Sequence, residues 1–440
     1  MNKQILFFAF VFIFTVTFIF QKPVEANWIW ERSVIEDPIE VYAPALAAHL
    51  RETGQTGSSS SNNANRSTEL GSDNPIAAFA PALAAALAEM AVTEPVSGSV
   101  VMAENFKDFL TAHTFLDSEL TVLEYHDGSL LARRFGRELV RSTDHGISWA
   151  YLNAFQQPIK AVYVDASANI FVTTSSGRWE PVGTGEVFKS SDGGLTFRKV
   201  LDVGAGVPLN WNITSRDGLM FISEYGYKGN NGNNARRIYR SLDRGETWDI
   251  VFEPAPREEW HNHKILITNQ GLVYQSIGDG ENAKIIHSND NGDNWDVAVN
   301  GIHPTSAVEF ETHILWGLDA GENPGIVRYD KNSGEITQAL NLPEPFNGSA
   351  YGMALSRGVV YAIFLSYEGY SHPASIFYSE DEGNSWQLLG RIEKPSDSLG
   401  IGLYNLVLDG RFGYIDIQTP VYRNGTIEQY RGTLRFGLVR

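Results

Sequence analysis

Short stretches of alternating apolar and polar residues recur along the chain from about Leu120 to Leu434. In one unit the alternating stretches cover 161–164, 170–174, 185–188 and 197–201. A period of two is typical of strands with one buried face, and turn residues such as Gly, Asn and Asp separate the stretches. The pattern predicts an all-β fold of seven four-stranded antiparallel units, with six units as the alternative.

An eight-residue pattern, Ser-x-Asp-x-Gly-x-(Thr/Ser/Asn)-(Trp/Phe), lies between the third and fourth stretches of five units. The five copies, which we call the boxes, cover 142–149, 190–197, 241–248, 288–295 and 379–386. Repeats of about 40–50 residues are typical of propellers and solenoids, so the units are predicted to be the blades of a β-propeller. The Asp of each box can accept hydrogen bonds from the following backbone N–H groups, and the Gly supplies the positive φ of the turn. We therefore expect the box Asp residues to be structural.

The boxes resemble the Asp-box repeats, or bacterial neuraminidase repeats, of sialidases and many other propellers. The resemblance spans roughly 120–434 and implies a sialidase-like β-propeller, a fold that serves hydrolases, lyases, receptor ectodomains and assembly factors. Sialidases use three arginines, a Tyr–Glu nucleophile pair and an Asp acid, with the first arginine in a Phe/Tyr-Arg-Ile-Pro motif. Residues 132–137 read Ala-Arg-Arg-Phe-Gly-Arg and lack the Ile-Pro. Under this resemblance the substrate-binding arginines would be Arg237, Arg328 and Arg423.

The part of the chain before the propeller has a different composition. Residues 1–26 combine Lys3, an apolar run and a Val-Glu-Ala site, which predicts a cleaved signal peptide and a secreted or periplasmic protein. An uncleaved membrane anchor is the alternative. Residues 27–117 contain a Ser/Asn/Gly-rich linker at 53–75 between two similar Ala-rich segments, and the propeller is predicted at 118–440. The duplicated segments are either spacers or docking helices for a protein partner.

Charge and cysteine content exclude several classes of partner. The chain has 52 acidic and 34 basic residues and a formal charge of −18, whereas binding to nucleic acid or an anionic membrane needs clustered Lys and Arg. It contains no Cys, so it has neither a disulfide nor a lipid-modified cysteine. A neutral ligand such as a carbohydrate, or a protein partner, is compatible with this surface.

Candidate chemistry lies in the loops between the second and third strands of each blade, which emerge on the face opposite the boxes. Loops on a rigid scaffold are common positions for binding residues, and carboxylates mixed with aromatics and arginines suit a sugar. The candidate catalytic residues are Glu224, Tyr225, His261, His263, Asp279 and Glu281. The candidate substrate-binding residues are Trp179, Arg237, Arg328, Tyr367, Tyr370 and Arg423.

The pair His261 and His263 has several interpretations. Histidines two residues apart on a strand point to the same face, which suits a metal with Asp279 as a third ligand or a base for elimination from a uronic acid. Hydrogen-bonded structural histidines are more common, so we predict no metal and no cofactor.

Three functions are compatible with the sequence. The first is an exported carbohydrate-binding and carbohydrate-cleaving enzyme, a glycoside hydrolase or less readily a polysaccharide lyase. The second is a non-catalytic carbohydrate-binding module. The third is a protein-binding or assembly scaffold in which residues 27–117 take part.

Overall fold

The protein is described by a computed structural model for residues 114–116, 119–176, 185–203, 206–226, 236–254, 261–279, 282–319, 325–343, 345–366, 372–392, 400–423 and 426–439. Within these residues the strands form seven four-stranded antiparallel sheets. The innermost strands of successive sheets contact one another in order, and the last contacts the first, so the sheets form a ring. The seven-bladed β-propeller is thereby confirmed, and the six-bladed alternative is wrong.

Blades 1 to 4 each use four consecutive strands, ordered from the central channel outward. Blade 1 contains β2 (Leu120–His126), β3 (Ser129–Arg134), β4 (Glu138–Ser142) and β5 (Ala150–Ala154). Blade 2 contains β6 (Ile159–Val164), β7 (Ile170–Ser175), β8 (Gly185–Ser190) and β9 (Arg198–Val203). A 3-10 turn at Asn210–Asn212 precedes blade 3, which contains β10 (Ile213–Arg216), β11 (Leu219–Ser223), β12 (Ile238–Ser241) and β13 (Asp249–Phe252). Blade 4 contains β14 (Asn262–Ile267), β15 (Val273–Ile277), β16 (Lys284–Ser288) and β17 (Asp296–Asn300).

Blades 5 and 6 follow the same order, and blade 7 closes the ring with both ends of the propeller. Blade 5 contains β18 (Pro304–Glu309), β19 (His313–Leu318), β20 (Gly325–Asp330) and β21 (Ile336–Asn341). Blade 6 contains β22 (Gly352–Ser356), β23 (Val359–Phe364), β24 (Ala374–Ser379) and β25 (Gln387–Ile392). Blade 7 contains β26 (Gly402–Leu408), β27 (Phe412–Arg423), β28 (Thr426–Gly437) and, outermost, β1 (Thr114–Leu116).

The first strand, β1, lies outermost in blade 7 although it comes from the opposite end of the propeller sequence. It pairs antiparallel with β28, from Thr114 opposite Arg435 to Leu116 opposite Thr433. The propeller therefore includes residues that precede its predicted start at 118. The Thr433 hydroxyl also donates to the Leu120 carbonyl oxygen at 2.8 Å, which links blade 7 to blade 1.

Each box is a turn that satisfies its own polar groups. In the third copy the Ser241 hydroxyl donates to Asp243 Oδ1 at 2.7 Å, and the N–H of Gly245 donates to Ser241 Oγ at 2.7 Å. The N–H of Thr247 donates to the same carboxylate at 2.9 Å, and Gly245 has a φ of 78°. Hydrogen bonds from Thr247 and Ser241 hold the pKa of the Asp243 carboxyl below its ordinary value. The box carboxylates thus stabilise turns.

The boxes also join neighbouring blades. A Cβ placed on Gly245 would lie 2.4 Å from Phe171 Cε1, on the second strand of the preceding blade. The Trp295 ring of the fourth box meets the Phe221 ring of the preceding blade edge to face, with centroids 6.3 Å apart. The glycine therefore serves the close approach of the blades as well as the turn.

The described residues all belong to one compact unit, Glu94–Arg440. Among these residues we find no helix with the length and apolar character of a membrane span. The predicted signal peptide at 1–26, the linker at 53–75 and the duplicated segments lie outside the described residues.

Candidate functional site

Five of the candidate catalytic residues lie at one end of the strands, on the face opposite the boxes. Glu224 and Tyr225 directly follow β11, and Asp279 follows β15. His261 precedes β14 and His263 lies near its start. Because β11 and β15 are second strands and β14 is a first strand, these positions meet at the mouth of the central channel between blades 3 and 4.

His261, His263 and Asp279 form a compact cluster there. His261 Nε2 lies 3.4 Å from Asp279 Oδ2, and His263 Nε2 lies 3.3 Å from Asp279 Oδ1. The two imidazole centroids are 4.5 Å apart. Both imidazoles are buried, whereas 31 % of the Asp279 side chain is exposed. The cluster therefore opens to solvent through its carboxylate.

The electrostatics of the cluster favour an ionised acid beside a neutral base. Burial alone would raise the pKa of the Asp279 carboxyl, but hydrogen bonds from His261 and His263 bring it well below its ordinary value. Burial lowers the pKa of His263, and the hydrogen bond to Asp279 opposes that shift only in part.

Side-chain amides hold the backbone of β14 at this point. Asn212 Nδ2 donates to the carbonyl oxygens of His263 at 2.8 Å and Asn262 at 3.2 Å, and Asn212 is fully buried. Gln275 Nε2 donates to the His263 carbonyl at 3.3 Å. The pairing of β14 with β15 shifts register between Asn262 and Ile265. The amides thus fix an irregular segment whose carbonyls a regular ladder would not satisfy.

Glu224 contacts the same segment but is fully engaged. It is 1 % exposed, and the Tyr239 hydroxyl donates to its Oε1 at 2.7 Å. The N–H groups of Arg236 and Arg237 donate to Oε2 at 3.0 and 3.1 Å. Burial raises the pKa of Glu224, against the hydrogen bond from Tyr239. The Glu224 carbonyl accepts the Asn262 N–H at 3.1 Å, so this residue connects blade 3 to the histidine segment.

Aromatic rings border the cluster. Tyr225 lies edge-on to His261 and His263, with centroids 4.9 and 5.7 Å away. The Trp211 ring lies 5.5 Å from Tyr225 and 5.4 Å from Tyr351. Tyr351 in turn lies 5.6 Å from Tyr404 of blade 7. Together these four residues, which we call the aromatic wall, extend from blade 3 across the channel to blades 6 and 7.

Two further polar residues, His303 and Asp319, lie beside the wall, and His303 was not among the predicted residues. His303 Nε2 lies 3.9 Å from Asp279 Oδ1, and its ring is 5.7 Å from His263. Asp319 accepts hydrogen bonds from the Ser349 hydroxyl and, at 3.1 Å, from the Tyr351 hydroxyl. His261, His303 and Tyr351 each directly precede the first strand of a blade. Aligning the blades at the position of His261 is the sequence signal that would have found His303 and Tyr351.

The remaining predicted residues are not gathered at this cluster. Arg237 Nε pairs with Glu253 Oε1 at 3.1 Å, at the outer end of the loop that follows Glu224. Arg328 donates to the carbonyl oxygen of Glu382 at 2.9 Å, inside the fifth box on the opposite face. The described residues therefore do not assemble a sialidase-like arginine triad. Trp179, Glu281, Tyr367 and Tyr370 lie outside the described residues, and Arg423 is described only as part of β27.

The wall continues into the central channel, which encloses about 320 Å³ and includes Trp211 and Tyr351 in its lining. Glu124 of blade 1 and Lys264 of blade 4 also line it. Burial raises the pKa of Glu124 to about 8 and lowers the pKa of Lys264 to about 8, and the attraction between the two opposes both shifts. The channel thus contains two groups that change protonation near pH 8, so that at neutral pH Glu124 is mostly neutral and Lys264 mostly charged.

Comparisons with known proteins assign neither a family nor an activity to the chain. No family model matches the chain, and no curated protein matches it. Among solved structures it is similar to YCF48 bound to D1 peptide, with 14% identity, 74% of this chain and 95% of the other covered, and a TM-score of 0.49. YCF48 from Cyanidioschyzon merolae is similar at 15% identity, with 74% and 98% covered and a TM-score of 0.48. Similarity at this level carries no argument about a ligand or a reaction.

Proposed function

We propose that this protein binds a carbohydrate at the channel mouth opposite the boxes and cleaves it there. The observation that supports this most is that the aromatic wall and the cluster of His261, His263 and Asp279 share one opening. Sugar rings present apolar faces that pack on aromatic side chains, and their hydroxyls need polar groups placed around those faces. The wall supplies the first requirement, and Asp279, His303 and Asp319 supply the second.

Elimination from a uronic acid fits the described residues better than hydrolysis by paired acids. Hydrolysis needs two carboxylic groups about 5–10 Å apart, one of which delivers a proton to the leaving oxygen. Both oxygens of Glu224 accept protein donors, Asp319 is held by two hydroxyls, and Asp279 faces two imidazoles. Elimination needs instead a base and a positive partner for the sugar carboxylate, and the mouth is rich in imidazoles.

The base in this proposal is His303. Histidine side chains commonly act as general bases, and His303 lies beside Asp279 with 16% of its side chain exposed. It would remove the C5 proton of the uronic acid, the electron pair would form the C4–C5 double bond, and the C4–O bond would break. The leaving oxygen would take up a proton, so that one chain yields a reducing end and an unsaturated end.

The test is a panel of uronic-acid polysaccharides and neutral glycans incubated with the purified protein. Ultraviolet absorbance of the unsaturated product reports elimination, and reducing ends without that absorbance report hydrolysis. We expect His303→Ala to lower the elimination rate by about 100-fold or more, as is typical for a general base. His287→Ala is the matched control, because His287 lies on β16 against Tyr274 and away from the cluster.

Glycan binding is measured separately from cleavage, because a protein that binds a glycan without cleaving it would otherwise look like a protein without a ligand. Trp211→Ala should weaken oligosaccharide binding about tenfold, the effect of losing roughly 1.4 kcal/mol of aromatic contact. If no glycan in the panel is bound or cleaved by the folded protein, the carbohydrate proposal is wrong. If the protein binds a glycan but forms neither product, it is a carbohydrate-binding module and the proposed cleavage is wrong.

Two further parts of the proposal rest on sequence alone. Export to a secreted or periplasmic location rests on the signal-like segment 1–26, and the alternative is an uncleaved anchor. A protein-binding role for residues 27–117 rests on the duplication of 38–48 and 75–85. Capture of partners with residues 27–117, compared with a chain lacking 75–85, tests the second.

A further inference from the structure

We infer that His261, His263 and Asp279 form a binding site for a borderline divalent cation of the Zn²⁺ class. One ring nitrogen of each histidine and one carboxylate oxygen of Asp279 all lie within 4.8 Å of one another. This inference goes beyond the proposed carbohydrate activity and is tested without any sugar.

The separations are compatible with ligands that share one ion. His263 Nε2 lies 3.3 Å from Asp279 Oδ1, and His261 Nε2 lies 3.4 Å from Asp279 Oδ2. Charged N–H to carboxylate hydrogen bonds are usually about 2.7–2.9 Å long, so both contacts are long for hydrogen bonds. Two ligand atoms bound tetrahedrally at about 2.05 Å from one Zn²⁺ are about 3.3 Å apart. Each nitrogen–oxygen pair is thus spaced like two ligands of such an ion, and the two pairs end on different oxygens of the carboxylate.

The burial of the two histidines also supports a cation site. His261 is 0% exposed and His263 is 1% exposed, with the two rings in contact. Burying two polar imidazoles costs free energy that an apolar pair of residues in the same place would not incur. Two adjacent buried imidazoles beside a carboxylate are explained by a cation that they share.

The surroundings hold the ligands in position, as metal sites require. Asn212 and Gln275 donate to the carbonyl of His263, which fixes the irregular start of β14. The Glu224 carbonyl accepts the Asn262 N–H between the two histidines. The ligand strand is therefore tied to blade 3 as well as to its own blade.

The donor set selects the class of ion. Two imidazoles and one carboxylate favour Zn²⁺ and its transition-metal neighbours, whereas Ca²⁺ and Mg²⁺ prefer sites made of oxygen atoms. Three protein ligands leave at least one position for water or for a substrate oxygen, as in catalytic zinc sites. His303 lies outside the group of three, with its Nε2 3.9 Å from Asp279 Oδ1. An ion held here would meet the carboxylate of a uronic acid.

The experiment is a zinc titration of the untagged full chain, since an affinity tag would bind the metal. The protein is stripped with a chelator, and Zn²⁺ uptake is followed by calorimetry and by elemental analysis after dialysis. We expect one Zn²⁺ per chain. Asp279→Asn, chosen because Asp279 is partly exposed and the histidines are not, should weaken binding by about 100-fold or more. Asp217→Asn, which changes an exposed acid in the turn after β10, should leave it unchanged.

A second measurement separates metal binding from folding. Co²⁺ in a tetrahedral site of this kind should give visible absorption bands in the wild type that Asp279→Asn lacks, while both keep the same circular dichroism spectrum. His303→Ala should keep its zinc affinity within about threefold although it loses cleavage. No uptake by the folded wild type, or equal uptake by Asp279→Asn, overturns the site. If His303→Ala loses as much zinc affinity as Asp279→Asn does, the proposed set of three ligands is wrong. None of these results depends on whether a glycan is bound.

Discussion

For Glu224 the sequence predicts a catalytic role and the structure predicts a structural one. Two substitutions, Glu224→Gln and Glu224→Ala, distinguish the two roles. As a catalytic acid or base it would tolerate Glu224→Gln in folding but not in activity. In the structure it is a buried acceptor for three donors, the Tyr239 hydroxyl and the N–H groups of Arg236 and Arg237. The structural role predicts that the shape and hydrogen bonds of the side chain matter and that its charge does not.

The magnitudes follow from those three bonds. Glu224→Ala leaves three donors without an acceptor, at about 1–3 kcal/mol for each donor that water cannot reach. Arg236 and Arg237 are only half-buried, so their N–H groups recover part of this loss, and we expect a total of about 3–5 kcal/mol. Glu224→Gln keeps a carbonyl oxygen for the two N–H groups and offers its amide to the Tyr239 oxygen. It also removes the cost of burying a charge, so we expect a change within about 1 kcal/mol.

The assay is urea unfolding of the full chain at neutral pH, with Tyr239→Phe as the control that removes one donor and should cost about 1 kcal/mol. Cleavage and glycan binding are measured on the same preparations. The reasoning is refuted if Glu224→Gln unfolds like the wild type yet loses about 100-fold or more of the cleavage rate. It is also refuted if Glu224→Ala is as stable as the wild type.

Three other predictions concern the fold and the channel. Gly245→Ala should destabilise the protein more than Gly193→Ala by about 1–3 kcal/mol in thermal unfolding, because both have positive φ but only the Cβ at 245 meets Phe171. A chain starting at 119 should melt below one starting at 94, since it lacks β1 and exposes the edge of β28. The wild type should lose stability as the pH rises from about 5 to 8, and Glu124→Gln should not show this loss. The unfolded Glu ionises near pH 4.5 while the folded one stays protonated to about 8. Because the channel admits water, we expect the wild type to lose roughly 2 kcal/mol of unfolding free energy over this range. The prediction is contradicted if the unfolding free energies of wild type and variant, measured with urea, depend equally on pH.

The fold was predictable because its signals are local. In each box the serine hydroxyl and the aspartate carboxylate bond to backbone groups at most four residues away, so a short pattern carries the whole turn. The number of blades followed from counting units, including the two units, blades 5 and 7, that lack a full box. The contribution of β1 to blade 7 was missed because three residues give no detectable alternation and their partner strand lies at the other end of the sequence.

The site was predictable only where the geometry of one strand or one loop decides it. The shared face of His261 and His263 follows from strand alternation, and Asp279 was the suggested third member. Arg328 was misplaced, because spacing cannot show that its guanidinium reaches a box carbonyl of the next blade. His303 was missed because the search covered the loops between second and third strands, whereas it lies in a connection between blades.

The arrangement separates stability from chemistry between the two faces of the ring. The boxes satisfy their polar groups within each turn and use glycine and aromatic side chains to bring blades together. On the other face the bonds that hold the histidine segment run between blades, from Asn212 to His263 and from Asn262 to Glu224. A substitution in a box should therefore mainly lower the stability of the fold. A substitution at Asn212 should move the ligand strand β14 and leave the hydrogen bonds within the boxes intact, so altered metal affinity with an unchanged box face is the signature that the two faces are independent.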